Sequence, residues 1–190
     1  MVESGEYIER GASDMFMGEY SHSIDPKGRL IIPAKLREQL GENFVITKGL
    51  DGCLFVYPQE EWEAFEARFR EVPLTTKDAR KFSRFFFAGA AQMELDKQGR
   101  ILIPSTLRSF AELEKDVVLV GVLDRVEIWD KDRWETNNEY EDDDMDEIAE
   151  HMASLGLSIE EGDRKWNLNI IRFSCKRPLM NYISKKTASM

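Results

Sequence analysis

The chain has 190 residues, 42% of them hydrophobic, with 36 Asp and Glu against 26 Lys and Arg and a formal net charge of −10. That length gives one or two domains with a real core. No apolar run reaches a membrane span, the acidic N-terminus has no signal core, and Cys53 and Cys175, with no CxxC partner, read as free thiols of a reducing cytoplasm.

Residues 1–14 are read as an extension that is not native to the fold. A first β-rich unit is expected over 19–62. Asp25-Pro26-Lys27-Gly28 reads as a turn, because proline presets φ and glycine tolerates positive φ. Arg29 to Ile32 follows as a short strand with Leu30 and Ile32 on one face. Pro33 suits a helix's first turn, Leu36 and Leu40 share a helical face, and Gly41 closes that helix. Phe44 to Lys48 and Leu54 to Tyr57 read as strands around Gly49-Leu50-Asp51-Gly52. Trp62, Phe65 and Phe69 mark an amphipathic helix.

Connecting helices are expected over 63–89. Thr75 or Thr76 caps one of them. It carries Phe82, Phe85, Phe86 and Phe87, interleaved with Arg80, Lys81 and Arg84. These phenylalanines are too apolar for a free linker. They either pack the helix onto the sheet or form a subunit interface. The basic side chains read as a solvated face.

A second unit, over 90–134, repeats the first. Asp25-Pro26-Lys27-Gly28-Arg29-Leu30-Ile31-Ile32-Pro33-Ala34-Lys35-Leu36-Arg37 returns as Asp96-Lys97-Gln98-Gly99-Arg100-Ile101-Leu102-Ile103-Pro104-Ser105-Thr106-Leu107-Arg108. Such self-similarity governs the fold. It predicts two halves around one core, related by a pseudo-twofold axis. Leu30, Ile32, Val45, Leu54 and Val56 should be buried beside Ile101, Ile103, Val117, Val126 and Ile128.

Residues 135–190 read as a partly disordered tail, first acidic and then basic. Glu135 to Asp163 holds twelve acids and no Lys or Arg, and from Arg164 the sign reverses. Met15 to Trp134 is close to neutral, so the chain average conceals local charge.

Met15-Phe16-Met17-Gly18-Glu19-Tyr20, the paired D-x-x-G-R motifs at Asp25 and Asp96, Gly49-Leu50-Asp51-Gly52-Cys53-Leu54, and the arginine–phenylalanine helix Ala79 to Gly89 together resemble the MraZ family. This is a family of bacterial transcriptional regulators with tandem SpoVT-AbrB-like units. The resemblance is close over Met15 to Trp134 and loose to Leu157; Ser158 to Met190 has no counterpart in it. It implies a β-rich α+β fold, a tandem swapped-hairpin barrel with peripheral helices. It further implies a homo-oligomeric ring and repressor-like binding of double-stranded DNA at repeated promoter boxes upstream of the division and cell-wall gene cluster. The location that goes with this is the cytoplasm, at the nucleoid. Arg29 and Arg100 are implied as the principal DNA contacts.

The residues support two readings of those arginines. Each can present a planar fork to guanine or clamp a phosphate, helped by Lys27, Lys35, Arg37, Lys97 and Arg108. Each can instead pair internally, Asp25 with Arg29 and Asp96 with Arg100. Asp25, Gly28, Asp96 and Gly99 form the turns in either case. Phe82, Phe85, Phe86 and Phe87 are the interface candidates.

An enzyme reading is poor. His22 and His151 lack metal-ligand spacing with a cysteine, no nucleophile–base arrangement is legible, and Asp142-Asp143-Asp144 lacks the form of a calcium loop. No cofactor, metal, small-molecule substrate or membrane is expected. The alternative is an antitoxin-like protein of the same unit type that binds DNA and a toxin. Two units in one chain weigh against it.

Overall fold

The computed structural model describes residues 15–139 and 142–155. The extension over 1–14 and the basic end of the chain lie outside the described residues. One compact body ends at Glu139; helix α6 (Asp142–Ser154) falls in a second body.

In the first body, which holds both repeat units, the elements are β1 (Phe16–Ser23), β2 (Arg29–Ile31), α1 (Ala34–Leu40), β3 (Asn43–Lys48), β4 (Leu54–Pro58), α2 (Gln59–Arg70), α3 (Lys77–Phe87), β5 (Ala91–Glu94), β6 (Arg100–Leu102), α4 (Ser105–Phe110), β7 (Asp116–Leu123), β8 (Arg125–Asp130) and α5 (Lys131–Asn137). The fold is β-rich α+β with antiparallel sheets. Six strands form one sheet in the order β1-β7-β8-β4-β3-β5, and β2 and β6 form a separate ribbon.

The strand order shows what the repeat does. The central pair β4 and β8 joins the two units. The outer strands cross over: β1 pairs with β7 of the second unit, and β5 pairs with β3 of the first. The ribbon also takes one strand from each unit, with Leu30 opposite Ile101. Neither unit completes its own sheet.

Among the described residues the sheet is open, ending at β1 and β5, and no closed barrel forms. The ribbon strands are three residues each. Each ends two residues before a proline, Pro33 or Pro104, which has no N–H for a ladder and sits with ψ 140 or 137 just before a helix. Both prolines therefore occupy the cap position, one residue earlier than the sequence pattern suggests.

The sheet has a core on each face. Alternation along β3 and β4 sends Phe44, Ile46, Leu54 and Val56 to one face, where they meet Leu30, Ile32, Leu36, Ile101, Ile103, Leu107, Val117, Val126 and Ile128. Both units supply this cluster. Phe44, Leu30 and Ile46 are fully buried, and each such side chain stabilises by roughly 1.5–3 kcal/mol. Val45, Phe55 and Tyr57 point the other way, to Trp62 of α2, Phe86 of α3 and Trp129. All ten core residues expected from the repeat are buried, Val45 on the second face rather than the first.

Helix α3 is capped by Thr76, whose hydroxyl accepts from the Ala79 N–H at 3.1 Å. Phe86 is buried and Phe85 and Phe87 are half-buried against the sheet and α2. Phe65 lies 5.6 Å from Phe86 and 5.7 Å from Phe87. The buried Thr47 hydroxyl donates to the Phe86 carbonyl at 2.6 Å, and the Lys48 ammonium lies over Phe85 and Phe110. All four phenylalanines thus make ring contacts within the chain; Phe82, against Phe69 at 5.8 Å and Phe86 at 4.7 Å, stays 44% exposed. Arg80, Lys81 and Arg84 are exposed.

In the second body, α6 lies within the acidic stretch that composition alone assigns to a partly disordered tail. Met145, Ile148 and Met152 recur there at helical spacing, which an acid count overlooks.

Candidate nucleic-acid interface

The Asp25 turn is built by its own side chain. The Gly28 N–H donates to the Asp25 carbonyl at 2.8 Å, and the Asp25 N–H to the Arg29 carbonyl at 2.9 Å. Asp25 Oδ1 accepts from the Lys27 and Arg29 N–H groups, each at 2.9 Å. Its Oδ2 accepts from Arg29 Nε and Nη2, both at 2.6 Å. One carboxylate thereby closes the turn and aims the guanidinium.

The second turn repeats this atom for atom. Gly99 donates to the Asp96 carbonyl at 2.9 Å, and Asp96 Oδ1 accepts from Gln98 at 2.8 Å and Arg100 at 3.0 Å. Asp96 Oδ2 holds Arg100 Nε at 2.8 Å and Nη2 at 2.7 Å. The side-chain hydrogen bond from each arginine, followed by its backbone N–H, holds both carboxyls at about 2. Arg29 and Arg100 keep 33% and 23% of their side-chain surface exposed, and neither Nη1 takes part in the pair. So solvated a pair adds little stability. Its consequence is orientation.

The two turns are also stitched to each other. The Ile32 N–H donates to the Gly99 carbonyl at 3.0 Å, and the Ile103 N–H to the Gly28 carbonyl at 3.1 Å. Gly28 and Gly99 adopt φ of 83° and 72°, where a side chain is strained. A Cβ on Gly28 would strike Arg108, and one on Gly99 would strike Arg37. Each unit's helix arginine therefore covers the other unit's turn. Arg108 Nε also donates to the Ile103 carbonyl at 3.2 Å.

The structure places the sequence candidates as follows. Arg29 and Arg100 flank the ribbon diagonally, since Arg29 lies opposite Leu102 and Ile31 opposite Arg100. Lys27 and Lys97 are exposed at the turn tips, and Lys35 is exposed on α1. Arg37 and Arg108 are half-buried over the turn glycines. The phenylalanines of α3 are not part of this group. Sequence reasoning passed over Ile31 and Leu102, which are 48% and 58% exposed on the outward face. Their signal was available: an apolar residue recurs at the outward position of both strands.

The arrangement can present two carboxylate-fixed guanidinium groups, with lysines beside them, on one exposed ribbon. A planar, preoriented fork suits phosphate oxygens or a base edge.

Comparison with known proteins agrees with this organisation. The family model described as "MraZ protein, putative antitoxin-like" matches twice, over 15–85 and 86–155. A relative from Acetivibrio thermocellus, named transcriptional regulator MraZ, is 60% identical over 143 residues, covering 75% of this chain and 100% of its own length. One of the same name from Lachnoclostridium phytofermentans is 60% identical over 144 residues, 76% of this chain and 99% of its own. A third, from a Thermoanaerobacter species, is 59% identical over 143 residues, with 75% and 100% coverage.

Proposed function

The chain belongs to the MraZ family, and from that membership we propose that it is a sequence-specific DNA-binding transcriptional regulator. The observation that carries the reading is the duplicated turn: two aspartate-fixed arginines repeated on one exposed ribbon. Arg29 and Arg100 are the principal contacts. Lys27, Lys97 and Lys35 meet backbone phosphates, and Arg37 and Arg108 hold the turns from below. The protein acts as a repressor, in the cytoplasm and at the nucleoid, on repeated boxes upstream of the division and cell-wall genes. No catalytic step is assigned to it.

The crossed strands support a swapped-hairpin relation between the units, of which the open sheet is one half-layer and the ribbon the other. A homo-oligomeric ring answers the difficulty of affinity. A near-neutral body gains little from one site, whereas protomers on successive boxes make later contacts effectively intramolecular. Phe82 is the exposed aromatic left for such a contact.

Gel shifts with the chain's own upstream DNA against a scrambled duplex test the reading. Specific retardation is expected. Equal weak binding to both would refute it. The antitoxin-like alternative draws on the exposed Met145, Ile148 and Met152 of α6, a face able to hold a protein partner. Co-purification of a small toxin from the native host would favour it.

A further inference from the structure

The outward face of the ribbon breaks the strand rule twice. Alternation sends Leu30 and Ile101 into the core, so the positions beside them should be polar. Two are arginines. The other two are Ile31, 48% exposed, and Leu102, 58% exposed. A single exposed aliphatic residue calls for no explanation. Here the repeat puts one at the same outward position in both units, and the register sets each opposite an arginine.

We propose that Ile31 and Leu102 are specificity-determining residues that meet thymine 5-methyl groups in the DNA major groove, beside the contacts made by Arg29 and Arg100. This rests on the DNA-binding reading above. The chemistry selects the ligand. Phosphates and sugars reward the arginines and the exposed Lys27 and Lys97, but offer an aliphatic side chain nothing. The major groove admits a two-stranded β-ribbon, and the thymine methyl is the apolar feature of its base-pair edges; the minor groove has no equivalent. The spacing fits as well. Residues i and i+2 of a strand lie roughly 6.7 Å apart, close to two base steps of about 3.4 Å. Arg29 and Ile31 can thus address bases two steps apart within one half-site.

The test uses the full chain and its own upstream duplex, made with thymine and again with uracil in its place, so that only the 5-methyl groups are lost. Binding is measured for wild type and for Ile31→Ala/Leu102→Ala. Wild type should bind the uracil duplex more weakly, by roughly fourfold for each methyl it buries. The double variant should bind both duplexes alike, at about the wild-type affinity for the uracil form. Equal wild-type binding to the two duplexes overturns the inference. So does a double variant that keeps the full thymine preference, since another group then reads the methyl. A double variant weakened equally on both duplexes while wild type shows no preference means that the aliphatic side chains only support the arginine stems. A variant of smaller oligomeric size with unchanged thymine preference makes the face a protein contact instead. If the alanine variant fails to fold, Ile31→Val/Leu102→Val must show a reduced preference. Failure of wild type to prefer its upstream duplex over scrambled DNA overturns the DNA reading itself, which equal thymine and uracil binding by a specific binder does not.

Discussion

Asp25 and Asp96 each tie a turn and an arginine through one carboxylate, and their titration reports whether the tie exists. Both carboxyls sit at about 2, below the ordinary 3.8, because the arginine side chain donates to them. A lowered folded-state value stabilises the turn fully above the unfolded value and loses that effect as pH falls through 2. The pairs are therefore intact from about pH 4 upward, and neither adds pH dependence to DNA binding between pH 5 and 8. NMR titration of the carboxyl carbons should give midpoints near 2 for both. Arg29→Ala should return Asp25 toward the ordinary range and leave Asp96 unchanged. Wild-type midpoints near 4 would mean that the pairs do not form in solution.

The same substitution separates the two roles of Arg29. The Asp25–Arg29 pair is present, as the internal reading expects; orientation for an outside ligand is what the exposed third of the Arg29 side chain adds. Arg29→Ala should weaken operator binding by about 1–3 kcal/mol for each engaged site if it contacts a base, with reduced discrimination against scrambled DNA. A phosphate contact would weaken both duplexes together and lower the salt dependence. Unchanged affinity in a correctly assembled protein would leave Arg29 a structural residue alone. At Cys53, burial pushes the thiol up, and neighbouring acids add to it. It should resist alkylation at pH 8 until the protein unfolds; rapid labelling of the native protein would contradict that placement.

Among the elements, α3 shows how far composition reads and where it stops. Its cap and its phenylalanines are plain in the sequence, but three apolar residues in a row cannot say whether they face the same chain or another. The structure buries Phe86 among Phe65, Phe82 and Phe85, with centroid distances of 5.6, 4.7 and 5.1 Å. Phe86→Ala should destabilise the fold by about 3–5 kcal/mol in denaturant titration, as for other buried phenylalanines. A loss confined to oligomerisation, with the fold's midpoint intact, would restore the interface reading for that residue. β1 was the least legible strand. It lies at the sheet edge with Gly18 inside it and alternates poorly, its burial limited to Phe16 and partial cover of Tyr20 and His22. It begins at Phe16, three residues before the unit expected over 19–62.

For the whole molecule the decisive feature is that each half finishes the other. The repeat predicts proximity, and the shared cluster of Leu30, Ile32, Ile101 and Ile103 bears that out. The two turns should consequently respond together: Gly99→Ala, which displaces Arg37 of the first unit, should disturb the Asp25 turn as well, visible as changed amide shifts at Lys27 and Arg29. Shifts limited to the second turn would argue that the units are independent. Assembly follows from the proposed ring. Light scattering of dilute protein should show a species well above a dimer, and a clean monomer at micromolar concentration would count against it. Replacing the acids from Glu141 to Glu150 by their amides, with the basic end kept, should strengthen binding to scrambled DNA, because those acids repel backbone phosphates; no change would deny the acidic segment that role.

The sequence by itself determined the duplication, the turn chemistry, the buried positions and the family. These are local or periodic facts: proline fixes φ, glycine admits positive φ, an aspartate reaches its own turn, and alternation marks the inward face whatever the partner. Only the tertiary structure decided that β1 pairs with β7 and β5 with β3, that the sheet stays open beside a separate ribbon, and that Arg37 and Arg108 cover the opposite unit's glycines. Strand pairing joins backbone groups that every residue but proline carries, so two similar units contain comparable local instructions for pairing within themselves or with each other. The choice between those arrangements rests on how the combined side chains fill one core.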